Sequence, residues 1–261
     1  STAVFLWTDH GVSHLRGKQF LYEEGIRVPM IIRLPRMQHA GTVRDDLIEH
    51  IDIAACSLNL AGIKVPDNIQ GRDFLSADYK SRRFIFAGRD RCDETVDIQR
   101  CVRDSRYKYI RNFMSHVSHA QPSQYKDGKK ILQVIRGLHK QGKLNEQQAR
   151  PFAPRRPPEE LYDLDSDPYE LVNLAWEPKH QKKLLAMRKA LFQQMAKTRD
   201  VGLIPEPILE NLGREAGNKY KVFLDNDYSD QTRRLIDVIT SGEANNVAKL
   251  LEYAKSPDPS T

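Results

Sequence analysis

Apolar residues open the chain as Ala3-Val4-Phe5-Leu6-Trp7 and return as Val28-Pro29-Met30-Ile31-Ile32. Runs this short and continuous predict strands buried on both faces, over 3–8 and 28–34. Residues 46–62 have helical spacing, with Ile51, Ala54, Ala55, Leu58 and Ala61 on one face and Gly62 as the stop. Strand patterns follow at 83–87, 98–103 and 107–113. Asp104-Ser105-Arg106 breaks the last two and predicts a hairpin. Tyr107, Tyr109 and Arg111 alternate with Lys108, Ile110 and Asn112, as in a half-exposed sheet. Residues 115–157 are polar and irregular, with helical pieces near 129–141 and 145–150 and a proline-rich end. A long helix is predicted over 182–197. Beyond Pro205 and Pro207, two short helices at 230–240 and 243–254 read as one hairpin, which would lead into a helical repeat past residue 261.

The first strand runs straight into Thr8-Asp9-His10-Gly11. An acid and an imidazole are thus delivered at the carboxyl end of a strand, where open α/β sheets keep their ligand sites. Arg16-Gly17-Lys18 and the turn Tyr22-Glu23-Glu24-Gly25 follow before the second strand. Asp9 suits a hard cation that takes oxygen ligands; His10 suits it less well. The competing reading makes Asp9 a turn cap and His10 a packed imidazole. Lys18 would stabilise charge on an anionic ester as a bond to a leaving oxygen breaks, or else is a surface lysine. His14 would protonate a leaving group, or else is a plain surface histidine. Arg16 and Arg27 would bind an anion, Arg27 being the better structural partner for a carboxylate. Asp52 reads as a first-turn helix residue. From the residues alone this is an anion-handling α/β site.

Composition narrows the classes. The chain has 261 residues, 39% hydrophobic and 29% charged, and a formal charge of +6. It carries no Arg/Lys block interleaved with aromatics, so nucleic-acid binding is not expected; the mild positive excess would draw in a polyanion. No run of about 18 apolar residues exists, so no membrane span is expected. No signal peptide is visible, and residue 3 already lies in a strand, so the chain is expected to begin inside a domain. Cys56, Cys92 and Cys101 form no metal-like CxxC pair. Cys56 reads as a core residue, while Cys92 and Cys101 are candidates to face each other across strands.

Taken in order, Asp9-His10-Gly11, Gly17-Lys18 and Tyr22-Glu23-Glu24-Gly25-Ile26-Arg27-Val28-Pro29 resemble the sulfatase family. A second stretch, from Glu160-Leu161-Tyr162-Asp163-Leu164 through Asp167-Pro168 to Asn173-Leu174, resembles that family's C-terminal signature. The helix ending Leu60-Ala61-Gly62 is similar to a sulfatase helix whose proline is lost here. The segment 89–94, together with 102–113, resembles the heparan N-sulfatase-like (N-sulfoglucosamine sulfohydrolase-like) bacterial subgroup.

The resemblance implies an α/β fold: the C-terminal part of an alkaline-phosphatase-like sulfatase, with a smaller antiparallel sheet plus helix subdomain and a C-terminal helical hairpin. The corresponding domains are 1–64, the end of the catalytic domain; 65–204, the α+β subdomain; and 205–261, a helical extension. It implies Asp9 and His10 as ligands of Ca2+ and Lys18 as a sulfate contact. Arg16, Arg89, Asp90, Arg91, His116 and His119 become candidates to meet a sulfated, carboxylated sugar, with an internal ion-pair network as the alternative for the 89–91 cluster. The C-terminal signature is implied to be structural: a last strand, an Asp-Pro turn and a helix.

One element is missing. Sulfatases convert the Cys or Ser of Cys/Ser-x-Pro-x-Arg to formylglycine. The segments at Cys56, Cys92 and Cys101 lack the proline, and Ser166-Asp167-Pro168-Tyr169-Glu170 lacks the arginine. The expectation is therefore a fragment of a sulfuric ester or sulfamate hydrolase acting on sulfated carbohydrate, inactive alone and extracytoplasmic in its parent. The alternatives are an alkaline-phosphatase-like phosphoesterase and a non-catalytic, sulfatase-derived glycan-binding protein.

Overall fold

A computed structural model of the chain describes residues 2–224. The helical hairpin expected at 230–254 lies outside the described residues. The chain forms two compact units, Ser1–Met187 and Arg188–Thr261.

In the first unit, β1 (Val4–Trp7) pairs antiparallel with β2 (Met30–Arg33), placing Val4 opposite Arg33 and Trp7 opposite Met30. One helical turn, α1 (Glu23–Ile26), precedes β2. Within the described residues neither strand is covered as a buried strand would be. Leu6 is 59% and Ile31 65% exposed, and Val4 and Trp7 are exposed as well. An apolar run records what a strand is able to bury; covering it needs other elements.

Helix α2 (Ile51–Leu60) is shorter than the predicted 46–62. Its buried residues are Asp52, Ala55 and Cys56, whereas Ile51, Ala54 and Ala61 are exposed. The apolar stripe was misread because Asp52, the first-turn acid, points inward. It accepts the Glu49 and Arg72 backbone N–H groups at 2.8 and 2.7 Å and pairs with Arg82. The stop is as expected. Gly62 takes φ +72, and the Gly62 and Ile63 N–H groups bond back to Asn59 and Leu58, a Schellman motif that needs a left-handed residue at this point.

A four-stranded antiparallel sheet follows in the order β3 (Ile85–Cys92), β4 (Thr95–Arg103), β5 (Tyr107–Asn112) and β6 (Glu159–Asp163). β4 and β5 form the predicted hairpin, and Asp104 Oδ1 receives the Arg106 and Tyr107 N–H groups across its turn. β3 runs five residues past its predicted end. Arg89-Asp90-Arg91, expected just after the strand, lies within it, and the strand turns only at Asp93-Glu94. Cys101 stands opposite Ala87 and Cys92 opposite Thr95; all three cysteines are free and no pair spans the strands.

The alternation read in β5 is right, but the half-exposed sheet is not: Lys108, Tyr109, Ile110 and Asn112 are all buried. By the two-residue period, Arg89, Asp97, Gln99, Cys101, Arg103, Lys108, Ile110, Asn112, Glu160 and Tyr162 share one face. Phe20, Leu21 and Tyr22 pack onto it with Cys101, Ile110 and Tyr162. Between β5 and β6 come α3 (Gln124–Asp127), capped by Ser123, α4 (Lys130–Lys140), and α5 (Glu146–Ala149), opened by an Asn145–Gln148 capping box.

Helix α6 spans Gln181–Lys197. The described part of the second unit continues with α7 (Glu206–Ala216) and α8 (Lys219–Leu224), separated at Gly217 with φ +93. Among the described residues no helix is long and apolar enough to cross a membrane.

Candidate functional site

The loop after β1 is folded backbone against backbone. Gly11 N donates to Gly25 O at 2.9 Å, Lys18 N to Val12 O at 2.7 Å, and Phe20 N to Gly17 O at 2.9 Å. A Cβ at Gly11 would sit 1.9 Å from Glu24 O, and one at Gly17 1.9 Å from Val12 O. Only glycine lets these segments approach, and that is the physical content of the Asp-His-Gly and Gly-Lys spacing.

The loop carries five of the expected site residues, Asp9, His10, His14, Arg16 and Lys18. Asp9 is exposed, its carboxylate 3.6 Å from His10 Nε2. His10 Nδ1 lies 2.6 Å from Gly11 O. A carbonyl only accepts, so Nδ1 holds the proton of the neutral ring and Nε2 keeps its lone pair. His14 is exposed. Lys18 Nζ is 3.4 Å from Tyr125 Oη and 4.7 Å above its ring, and Ser13 Oγ meets the same hydroxyl at 3.4 Å. Hydrogen bonds from Ser13, Lys129 and Lys18 bring the Tyr125 hydroxyl down to about 8. Tyr125 is the site residue that sequence reasoning missed; it stands alone in a polar stretch, with no periodicity to mark it. Among the described residues no group of three His, Cys, Asp or Glu side chains could hold a metal ion. Calcium takes six to eight oxygens, so Asp9 and His10 do not by themselves make its site.

The proposed sugar contacts divide. Arg16 donates to Tyr169 O and Glu170 O at 3.1 and 2.9 Å and lies 3.9 Å over the Tyr22 ring. Arg89 is buried, donating to Thr95 Oγ1 at 3.0 Å with Asp97 at 3.4 Å. Both therefore serve the interior network. Asp90 pairs with Arg100 at 2.7 Å; Asp90, Arg91 and His116 are exposed.

Beneath the loop, the two sequence signatures interlock. Lys108 Nζ, fully buried, lies 2.8 Å from Glu23 and 2.9 Å from Glu170, and donates to Leu21 O at 3.0 Å. Glu170 also receives the Glu23 N–H at 2.6 Å, and Arg103 reaches Glu23 at 3.1 Å. Asn173 accepts from Leu161 N and donates to Glu159 O, both at 3.0 Å, holding the turn after β6 to the strand. Glu160 accepts from Tyr22 Oη at 2.9 Å, from Asn112 Nδ2 at 2.6 Å, and from Tyr162.

His119 closes this network and is walled in, with 12% of its side chain exposed. Arg156 Nη1, a donor, stands 3.2 Å from His119 Nδ1, so the proton sits on Nε2, 3.2 Å from Tyr22 Oη. Burial, then the charges of Arg156, Arg16 and Arg89, push the imidazole well below its usual range and keep it neutral. The unfolded chain protonates first as pH falls through about 6.5. Stability is therefore full above that value and declines below it, by up to about 1.4 kcal/mol per pH unit for one proton. Urea midpoints between pH 7 and 5 should show this decline, and His119→Gln should flatten it; an unchanged slope in the variant would assign the decline to other groups.

Comparison with known proteins places the sequence in a family. The sequence profile of the family "N-sulphoglucosamine sulphohydrolase, C-terminal" matches residues 10–147. An ulvan-active sulfatase of Formosa agariphila is 39% identical over 81% of the chain, and a second from the same organism 29% identical over 80%. The chain spans 36% and 41% of the length of these two relatives. A solved 2-O GAG sulfatase superposes with a TM-score of 0.54 at 23% identity, over 76% of this chain and 37% of its own; that likeness concerns the fold.

Proposed function

Because the chain belongs to the N-sulphoglucosamine sulphohydrolase, C-terminal family of sulfatases, we propose that its 9–18 loop handles charge in a site that cleaves sulfate from a sulfated carbohydrate. The observation that carries this reading is one glycine-locked loop bearing an exposed Asp9, the half-buried His10 beside it, and a lysine. Breaking an S–O or S–N bond leaves negative charge on the departing atom and on the sulfate oxygens. The Lys18 ammonium, steadied over Tyr125, stabilises that charge as it develops. His14, on the same loop and open to solvent, protonates the leaving oxygen or nitrogen. Asp9, and less aptly His10, would contribute ligands to a calcium site completed by other groups, where the ion would offset charge on the sulfate. Asp90, Arg91 and His116 offer exposed polar groups to the sugar, while Arg16 and Arg89 act from behind the loop.

None of the 261 residues forms Cys/Ser-x-Pro-x-Arg, so in this reading the chain alone releases no sulfate and the nucleophile comes from elsewhere in the intact enzyme. That enzyme works outside the cytoplasm, with residues 1–64 and 65–204 as parts of its two domains.

The test is made on the intact enzyme with a sulfated oligosaccharide. Lys18→Ala is expected to lower kcat for sulfate release by about 10²–10³. An unchanged rate sinks the role given to Lys18. Cleavage of phosphate esters in preference to sulfate esters would favour the phosphoesterase reading, and glycan binding with no ester cleavage the non-catalytic one.

A further inference from the structure

Directly under the 12–20 loop lies a cavity whose wall includes Gln19, Arg89, Thr95, Ser123, Lys126 and Arg136. Its cavity volume is about 10 Å³, room for one water-sized body. No carboxylate lines it.

Two of its cations are buried without a full complement of partners. Arg89 has 6% of its side chain exposed. Its Nη2 donates to Thr95, but its Nε and Nη1 have no hydrogen-bond partner. The nearest carboxylate to Nη1, Asp97 at 3.4 Å, is already gripped by both Nη atoms of Arg156. Lys126, 4% exposed, gives two hydrogen bonds, to His14 O at 2.8 Å and Lys18 O at 2.6 Å, and an ammonium has three donors. Both cations lie 4.9 Å from the same Phe20 ring. The third cation, Arg136, is matched by Asp127 at 2.7 Å. Burial and the neighbouring Arg89 charge bring the Lys126 ammonium down to about 8, as expected of two like charges sharing a poorly solvated space.

We propose that this cavity is a binding site for one small monovalent anion of halide size, held between Arg89 and Lys126 under the loop that carries Lys18. Water would satisfy the free donors but leave the positive charge unmatched. A tetrahedral oxyanion, with four oxygens, exceeds the space. A chloride is larger than water but far smaller than a tetrahedral oxyanion, the long Gln19, Lys126 and Arg136 side chains can give way to it, and it imposes no direction on its donors. Because Lys126 also ties down the His14 and Lys18 carbonyls, the anion would stiffen the loop from below. None of this rests on the sulfatase reading.

The test uses the 261-residue chain at pH 7 with chloride as the probe. Chloride-35 NMR lines should broaden with the wild type, and bromide should reverse the broadening saturably. Lys126→Met should remove the bromide-reversible part, with an unchanged far-ultraviolet spectrum. Should that variant not fold, thermal unfolding of the wild type decides. At fixed ionic strength, replacing gluconate by chloride should raise Tm by about 3–6 °C and then saturate. Equal broadening in wild type and variant, or equal Tm in the two salts, overturns the proposal. So does a saturable rise with sulfate that chloride does not give.

Discussion

Replacing Lys108 with methionine should cost about 3–5 kcal/mol of stability, the penalty for removing one partner from a buried ion cluster. Lys108 is fully buried between Glu23 and Glu170. Glu23 keeps Arg103 when the lysine goes, whereas the Glu170 Oε1, 2.9 Å from the Lys108 ammonium, loses the cation that faces it. Burial already raises the Glu170 carboxyl against the pull of Lys108, whereas Glu23, buried too, is held below its usual range by Lys108 and Arg103. Glu170 is therefore where the uncompensated charge would fall. Adding Glu170→Gln to Lys108→Met should recover part of the loss, and urea midpoints of the four proteins in the cycle measure it. If Lys108→Met alone stays within 1 kcal/mol of wild type, the clamp between the two sequence signatures carries little energy.

The second large effect is expected from Gly11→Ala. Its new Cβ would lie 1.9 Å from Glu24 O and 2.8 Å from Glu24 C, both backbone atoms that no rotamer can move aside. The Gly11–Gly25 hydrogen bond must open and the 9–18 loop must shift by at least an ångström. Displacements of that size cost about 100-fold in rate when they misplace charge-handling groups, and overpacking of this kind costs about 1–3 kcal/mol or more. Gly137→Ala is the control. It lies inside α4, nothing stands within 4 Å of the new Cβ, and it should stabilise by about 0.5–1 kcal/mol. In the intact enzyme, sulfate release should collapse for Gly11→Ala and stay level for Gly137→Ala. Wild-type activity with Gly11→Ala would mean that the loop's backbone packing does not set the site.

The elements that sequence pattern placed well are those governed by local rules. The turn at 104–106, the Gly62 stop and the helices over 130–140 and 181–197 each depend on a few neighbouring residues. The misreadings share one cause, that burial is a property of what covers an element. The first strand looked like core and is exposed; β5 looked half-exposed and is covered on both faces. For Arg89 the sequence left two readings open, a substrate-mouth residue and an internal ion-pair network; in a strand facing Phe20 it is interior and takes the second.

At the site, the order of residues alone put Asp9, His10, His14 and Lys18 on a single tight loop, because glycines at 11, 17 and 25 permit approaches that no other residue allows. Sequence also fixed the family, through two motifs about 150 residues apart. Only the tertiary structure decided that those motifs clamp one another through Lys108 and Glu160, that Tyr125 comes to Lys18 across more than 100 residues, and that His119 is a neutral wedge and not a ligand of the surface. Local spacing determines what a backbone can do. Which distant side chain supplies the countercharge follows from sheet register and loop closure, and those are settled only when the whole chain has packed.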